Sequence, residues 1–520
     1  MKIKSLILGS AAGLIAMSGA QAADLPVKAK AVEYVRICTL YGAGFYYIPG
    51  TDTCIKLGGY LRVETAFNGS NFGGAYAGQL GAQNRFSNYY AARSREDLFI
   101  DTRTATEYGV LRTYFDATFS WTSGSYAGSA TGASVYSGAA PVGNGSDGGI
   151  AGGQFGLYHA GIQFAGFTIG RTFSAFDTPW VNYPGNNFDG LVGGSGTVTG
   201  VNQLTYTAQF GNGVSAKFSL QDPTVYAQSN LFNLGTVGAG NIISAPAFTG
   251  GAYGVNTFGG TRAPDIIGVL KVDQDWGLFQ FSAVAHNNHA AYYAPGFETS
   301  GHPEDKWGWA VQGALQIKNI PTGAGDTISL QAVYTDGATR YNFQSLAAQG
   351  FVMFGGSSGI PGVYQSVGVA AAADGVFADG TGIDTVQTWG FRGAFNHNWD
   401  PFWSSALYGA YGAVNYKSAG TLAICTNFAT HEITQGITAV GGGTCNPDFN
   451  LAQLGVITRW TPVKGLTFSA DVLYTRLDQK FAGVIAVPAA GIPALGKPGA
   501  VYELKDQDTV SLLVRAQRNW

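Results

Sequence analysis

Residues 508–520, which end the chain, read DTVSLLVRAQRNW. One set of alternate positions in this stretch is mostly apolar and consists of Val510, Leu512, Val514, Ala516, Arg518 and Trp520. The other set is mostly polar and consists of Ser511, Leu513, Arg515, Gln517 and Asn519. This period of two predicts a strand with one apolar and one polar face. Chain ends are usually frayed, so a strand pattern that continues to the last residue is unusual. Tryptophan has an apolar ring and a polar N–H group, and we therefore expect Trp520 to lie at a boundary between apolar and aqueous surroundings.

The composition favours a membrane barrel over a soluble protein. Only 12% of the 520 residues are charged, while 13% are aromatic and 77 are glycines. That charged share is about half the usual one for a globular protein. The mean hydropathy of +0.06 is too low for membrane helices, whereas a barrel spreads its apolar residues one in two. The formal net charge of −3 gives no reason to expect nucleic acid as a partner.

The N-terminus has the features of an export signal. Lys2 and Lys4 precede a short apolar run over residues 5–17, and residues 20–22 read Ala-Gln-Ala, the small-x-small cleavage pattern. The run is too short for a membrane anchor. We therefore expect residues 1–22 to be a cleaved signal peptide.

Four cysteines remain after that cleavage, an even number in an exported chain. The simplest of the three possible connectivities pairs neighbours, Cys38 with Cys54 and Cys425 with Cys445. The sequence contains no C-x-x-C motif and no histidine at ligand spacing, so we expect neither a metal site nor a cofactor.

Alternating segments recur along the chain. Residues 54–67, CIKLGGYLRVETAF, place Ile55, Leu57, Leu61 and Val63 on one face and Lys56, Tyr60, Arg62 and Glu64 on the other. Short turns are predicted at seven places, near residues 108–109, 165–166, 211–213, 274–275, 319–325, 400–401 and 462–465. Long polar loops are predicted near residues 67–92, 123–153, 177–200, 222–263, 288–305, 338–383, 417–448 and 481–506.

These segments predict an all-β fold. It is a transmembrane antiparallel β-barrel of 16 strands, with short periplasmic turns and long extracellular loops. The barrel occupies residues 53–520, after a periplasmic-side segment over residues 23–52. An unpaired sheet edge cannot face lipid, so the last strand should pair with the first and hold Trp520 at the membrane rim. A soluble β-propeller is the alternative, but it would lack the alternation of short and long connections.

Charged residues on the polar faces predict the lining of the lumen. A charge facing lipid would cost about 2–4 kcal/mol at mid-bilayer, so basic residues that alternate with apolar ones should point inward. These residues are Lys56, Arg62, Arg103, Arg112 and Arg392. Arg171 shares the parity of Phe167 and Ile169, so it faces inward only with a bulge at Gly170 or at the end of the strand.

The mature N-terminal region has a family resemblance. Residues 38–64, CTLYGAGFYYIPGTDTCIKLGGYLRVE, closely resemble the porins of alphaproteobacterial outer membranes. The resemblance implies a homotrimer of sixteen-stranded barrels, in contact with outer-membrane lipid and lipopolysaccharide, that passes small hydrophilic solutes. The chain departs from the family in ending on Trp520 rather than phenylalanine, and in having Arg518 where an apolar residue is usual.

A second stretch, GRTFSAFDTPWVNYPGNNFDG over residues 170–190, is similar to the run that leads into the inward-folded loop of general porins. The similarity implies a constriction loop over about residues 177–200, because sixteen strands otherwise leave a wide channel. Asp177 and Asp189 would be its acids and Arg171 would lie at its entry. We expect the acids to face lumenal bases, chiefly Arg62 and Arg112. The alternative is an ordinary surface loop with solvated acids.

The function predicted first is passive diffusion of small hydrophilic solutes and ions. A substrate-selective channel for sugars or anions is the second possibility, but it would need a lumenal ladder of aromatics, for which only Tyr60 and Tyr114 are candidates. An outer-membrane enzyme is a third possibility. The sequence shows no G-x-S-x-G motif and no evident catalytic grouping of its six histidines, so we expect no enzyme. An adhesin is suggested only by the size of the loops.

Overall fold

The computed structural model describes residues 36–68, 72–73, 81–85, 89–122, 154–181, 183–235, 252–294, 296–344, 350–435, 438–439, 443–487, 489, 491–492 and 495–520. The predicted signal peptide, residues 1–22, and the predicted loop over 123–153 lie outside these residues. Of the predicted periplasmic-side segment, residues 36–52 are described.

Sixteen long strands form one antiparallel sheet that closes on itself, as predicted. We number them β1 Cys54–Phe67, β2 Tyr90–Thr106, β3 Gly109–Thr122, β4 Gln154–Phe164, β5 Phe167–Thr172, β6 Val201–Gly211, β7 Val214–Gln221, β8 Asp265–Gln274, β9 Gly277–Asn288, β10 Lys306–Lys318, β11 Thr327–Asp336, β12 Gln387–Asn398, β13 Trp403–Asn415, β14 Phe449–Val463, β15 Leu466–Gln479 and β16 Gln507–Asn519.

Short and long connections alternate around the barrel. The short turns join β2 to β3, β4 to β5, β6 to β7, β8 to β9, β10 to β11, β12 to β13 and β14 to β15, and all seven fall where the sequence predicts them. The long connections all leave the opposite rim. This arrangement confirms the predicted barrel and excludes the propeller.

The barrel closes by pairing its last strand with its first. The register of β16 on β1 runs from Asn519 opposite Tyr60 to Leu512 opposite Phe67. Beyond it, the backbone amide of Trp520 donates to the carbonyl of Gly59 at 3.1 Å, and the amide of Gly59 donates back at 3.3 Å. The backbone pairing with β1 therefore continues as far as Trp520. This residue is 56% exposed and lies at the rim that carries the short turns.

Alternation along each strand separates an outer from an inner face. On β1, Leu57, Leu61 and Val63 are about half exposed, whereas Glu64, which follows Val63, is 1% exposed. The same period of two on β16 exposes Val510 and buries Ser511 and Leu513. Apolar side chains consequently cover the outside, where lipid replaces water, and polar ones face inward.

A disulfide-linked segment precedes the barrel. We call residues 36–53 the N-terminal clip. Cys38 bonds to Cys54 at the start of β1, with 6.1 Å between their Cα atoms, as predicted. A short strand, Tyr46–Tyr47, pairs with β1, and Phe45 packs against the two cysteines. The clip therefore lies at the end of the barrel that carries the short turns.

The long loops build a lid at the other end. One small sheet contains Leu231–Asn233, Val255–Asn256, Gly375–Phe377 and Asp384–Thr385. Another contains Gly350–Phe354, Gln365–Ala371, Thr438–Ala439, Gly483–Ala486 and Val501–Leu504. The lid also holds the helix α1, Ser418–Gln435, and the short 3-10 turns Glu298–Ser300 and Thr339–Tyr341. Cys425 of α1 bonds to Cys445, as predicted.

The largest apolar core lies inside the extracellular half of the barrel. Loop residues such as Phe188, Phe343 and Phe351 pack there against the wall residues Tyr408 and Leu477. Packed loops therefore occupy space that an open sixteen-stranded barrel would leave to water. Across the described ranges, no helix is both long and apolar enough to span a bilayer.

Candidate functional site: an inward-folded loop and its arginine wall

The connection from β5 to β6, residues 173–200, folds into the barrel, and we call it loop 3. Its backbone and side chains make hydrogen bonds with inward-facing groups of many strands. The wall residues that take part are Gln280 on β9, Gln312 on β10, Gln331 on β11, Arg392 and Asn396 on β12, Gln453 and Arg459 on β14, Asp471 on β15 and Arg515 on β16. Loop 3 therefore follows the inner wall from β9 round to β16.

Arg392 is the most buried arginine among these anchors, at 1% exposure. Its guanidinium donates to the carbonyls of Val181 at 2.6 Å and Ser195 at 2.5 Å, one on each limb of loop 3. The parity argument places Arg392 on the inner face correctly. Its role in the structure is to fasten the loop, because the loop covers it.

Gly193 allows loop 3 to lie directly on β12. Its φ of +83° is one that residues with a side chain rarely adopt, and a Cβ added there would lie 2.3 Å from the carbonyl oxygen of Phe391. The amide of Gly193 also donates to the side chain of Asn342. Only glycine permits this close approach of two backbones.

Asp189 is the acid of loop 3 that contacts the wall beyond β16, on β2. One carboxylate oxygen accepts a hydrogen bond from the Tyr183 hydroxyl at 2.6 Å, and the other lies 3.5 Å from the guanidinium of Arg93 on β2. Burial, followed by the nearby Asp189 charge, raises the pKa of Tyr183 well above its usual value, so this hydroxyl keeps its proton and donates. The Asp189 side chain is 18% exposed.

Four arginines form the wall that Asp189 faces. We call Arg62 on β1, Arg93 and Arg95 on β2, and Arg515 on β16 the arginine wall. Strand pairing aligns them in two rows, since Arg93 and Arg515 flank Glu64 while Arg95 lies opposite Arg62. Glu64 accepts from the Nε of Arg93 at 2.5 Å and of Arg515 at 2.6 Å. Acids therefore neutralise only part of the positive charge of this wall.

Arg62 keeps the predicted position on the inner face. Its Nε donates to Gln517 at 2.8 Å, and its guanidinium lies 4.5 Å from the ring centre of Tyr60. No carboxylate of the described residues forms an ion pair with Arg62. The Glu64 carboxylate and the Tyr183 hydroxyl are close enough to interact with its charge.

Asp177 and Arg112, the other acid and base predicted for the constriction, do not pair as expected. Asp177 does not face Arg62 or Arg112. It is buried within loop 3, where one carboxylate oxygen accepts from the backbone amide and the hydroxyl of Thr197. Burial raises the pKa of Asp177 despite these hydrogen bonds. Asp177 thus braces the two limbs of loop 3, which its position in the sequence could not reveal.

Arg112 and Arg103 both pair with Asp101, each at 2.9 Å, near the short turn between β2 and β3. Arg103 also lies 4.8 Å from the ring centre of Phe45 in the N-terminal clip, and Lys56 lies 5.9 Å from the same ring. These three bases therefore belong to the periplasmic end, where the clip covers two of them. Among the described residues, no hydrogen bond or ion pair joins Arg112 to loop 3; its remaining hydrogen-bond partner is Gln163 on β4, at 3.0 Å.

Arg171 lies at the entry to loop 3, as predicted from the resemblance. Its Nε donates to the carbonyl of Thr199 at 2.9 Å, which joins the end of the loop to its start. The preceding Gly170 has φ +114°, the kind of backbone irregularity that the parity argument requires.

Sequence reasoning missed several inward-facing charges. They are Arg93, Arg95, Arg459 and Arg515, and the lysines Lys217 on β7 and Lys271 on β8. The alternation of polar and apolar residues that identifies Arg62 also identifies Arg515 and Lys271, because each of them lies between outward-facing apolar residues. Arg93 and Arg95 lie where the sequence suggested a loop boundary.

Within the described ranges, no group of three or more histidine, cysteine, aspartate or glutamate side chains could hold a metal ion. The buried His286 instead lies 2.7 Å from Asp265 and 3.6 Å from Asp374, and so ties loop residues to the rim of the wall.

A closed sixteen-stranded barrel with an inward-folded loop after its fifth strand defines the class of outer-membrane diffusion channels. The chain belongs to the porin family: the family model described as "Porin subfamily" matches residues 24–513. It is thus an outer-membrane porin, a channel for diffusion of solutes.

Two similar proteins are also porins. Porin Omp2b of Brucella suis is 29% identical over 361 residues, which cover 65% of this chain and 85% of the relative. Porin Omp2a of Brucella melitensis is 37% identical over 230 residues, which cover 42% and 56% of the two chains. The crystal structure of the outer membrane channel DcaP of Acinetobacter baumannii has a TM-score of 0.52 at 14% identity, covering 91% of this chain and 99% of that one, and shares the fold.

Proposed function

We propose that loop 3 is the constriction of this porin, and that solutes and ions pass beside the contact of Asp189 with Arg93, along the part of the arginine wall formed by Arg62 and Arg95. The observation that carries the proposal is the seating of loop 3 on the inner wall, which leaves its acid Asp189 3.5 Å from Arg93. Asp177, the other acid predicted for the constriction, supports the loop from within. The solutes would be small and hydrophilic, and their movement passive.

The opposed charges would act through a transverse field. Asp189 supplies negative charge on one side, and Arg62, Arg95 and their neighbours supply positive charge on the other. Between low-dielectric walls, such charges interact more strongly than in bulk water. A dipolar solute can align with the field, whereas an apolar solute must displace oriented water and gains nothing in return. The filter therefore favours small polar compounds.

Liposome swelling tests the diffusion function. Vesicles that contain the purified protein should swell in neutral sugars at rates that fall smoothly with sugar size, with no saturation by any one sugar. Vesicles without protein provide the baseline. Swelling at the baseline rate would contradict a diffusion channel, and saturation by one sugar would favour a substrate-selective one.

We also propose that the protein is a homotrimer embedded in outer-membrane lipid and lipopolysaccharide, as the family resemblance implies, and that it is not an enzyme. The mass of the unheated protein in detergent tests the trimer. Lipase and protease assays on the purified protein test the absence of catalysis, and a turnover that survives removal of contaminants would contradict it.

A further inference from the structure

Loop 3 begins against β6, β7 and β8, where Ser174 donates to Gln221 and Phe176 packs in one cluster with Val269. Between these strands and the start of loop 3 lies a cavity of about 360 Å³. Its wall is polar and includes Gln203, Thr205, Thr207, Lys217 and Lys271. A solute that enters this cavity meets these polar groups.

Strand register brings the two lysines together. Lys217 lies opposite Val269, and Lys271 is two residues further along the same face of β8. Such diagonal neighbours have Cα atoms about 7–8 Å apart, within reach of two long side chains. On the neighbouring strand β6, Thr207 lies directly opposite Lys217, so the Thr207 hydroxyl is on the same inner face as the two lysines.

The charge of this pair is only partly neutralised. Lys271 has Asp273 at 3.5 Å, but Asp273 lies closer to Lys318, at 2.9 Å. Lys217 has no hydrogen bond or ion pair with any residue that the structure describes. The acid of loop 3 that lines the cavity, Asp177, already accepts two hydrogen bonds from Thr197.

We propose that Lys217 and Lys271 form a transient binding site for small oxyanions, the class that includes phosphate and carboxylates. An anion with several oxygens can accept from both ammonium groups and from a hydroxyl at once, and the charge-assisted bonds are the strong ones. A half-buried pair of ammonium groups also raises the local concentration of anions. This inference rests on the proposed function and adds a preferred class of solute to it.

Channel recordings in planar bilayers test the site with inorganic phosphate and, separately, acetate as probes. At about 0.1 M salt, where screening is weak, phosphate should lower the chloride current of the wild-type channel, and acetate should do so less. In K217Q/K271Q the half-blocking phosphate concentration should rise by about tenfold or more, and the reversal potential should move towards potassium selectivity.

Two variants make the result specific. K217R/K271R keeps the charge and should keep the phosphate effect, while K480Q removes a lysine paired with Asp478 outside the lumen and should behave as wild type. The folded band on unheated gels shows that each variant has formed a barrel. Equal phosphate block in wild type and K217Q/K271Q would overturn the site while leaving the channel intact. A wild-type protein that conducts no ions would overturn the proposed function itself.

Discussion

Arg515 on the last strand and Glu64 on the first form an ion pair across the seam where the barrel closes, with 2.6 Å between the arginine Nε and the carboxylate. The same guanidinium donates to the Asn187 side chain of loop 3 at 2.8 Å. Glu64 also accepts from Arg93, which faces Asp189. One buried carboxylate therefore couples the closure of the barrel to the seating of the loop.

Replacing Glu64 with glutamine should weaken this seam. E64Q keeps the shape of the side chain but removes the counter-charge that Arg93 and Arg515 share, and the loss of one partner of a buried ion pair typically costs about 3–5 kcal/mol. The temperature at which the folded gel band converts to the unfolded one should therefore fall. E107Q, at the exposed turn between β2 and β3, is the matched control. Equal conversion temperatures would show that Glu64 does not stabilise the seam.

A Cβ at Gly193 should lift loop 3 from the wall. G193A places a methyl group 2.3 Å from the Phe391 carbonyl oxygen and strains a φ of +83°. We expect single-channel conductance to fall, because a loop lifted from β12 moves into the lumen, and thermal stability to fall by about 1–3 kcal/mol. G356A, where a Cβ meets nothing within 4 Å, should match wild type. A G193A channel with wild-type conductance would mean that loop 3 does not set the width.

Much of the barrel could be predicted from the sequence because its physics is local. A period of two, glycine-rich turns and an oxidising compartment were enough for the strand number, the seven turns and both disulfides. Parity also placed Arg62 and Arg392 on the inner face. These inferences need only neighbouring residues and the cost of exposing charge to lipid.

The partners of the lumenal charges could not be predicted in the same way. The contact of Glu64 with Arg515 depends on the register in which the barrel closes, which joins residues at opposite ends of the chain. The burial of Asp177 depends on how loop 3 folds back on Thr197. Both contacts depend on the tertiary structure. Nothing in the sequence near Asp177 indicates that it bonds to Thr197 and does not face Arg112.

The N-terminal clip should narrow the periplasmic mouth. C38S/C54S removes a bridge between residues separated by 16 positions, which by chain entropy contributes about 3 kcal/mol to holding the clip. Its release withdraws Phe45 from Arg103, so conductance at low salt should rise, with a shift towards anions. C425S/C445S, which alters only the lid bridge, is the control. The idea is wrong if the two double variants conduct alike.

Lys497 in the lid should make stability depend on alkaline pH. Burial lowers its pKa to about 8, below the usual value of about 10.4, although it donates to Gln365 at 2.8 Å. The folded state therefore binds fewer protons than the unfolded state between these values, and stability should rise with pH through that window. K497M should flatten the rise in urea unfolding curves, whereas K480M should retain it. A wild-type curve that is flat from pH 8 to pH 10 would contradict the burial of this charge.

The reversal potential across a salt gradient tests most directly whether Asp189 and the arginine wall are the filter. The measurement compares wild type, D189N and D379N, a control in the exposed lid, in planar bilayers at about 0.1 M and about 1 M salt, where the Debye length falls from about 10 Å to about 3 Å. D189N should shift the reversal potential towards anion selectivity at the lower salt, the shift should shrink at the higher salt, and D379N should match wild type. An unchanged reversal potential in D189N at about 0.1 M salt would place the filter elsewhere than loop 3.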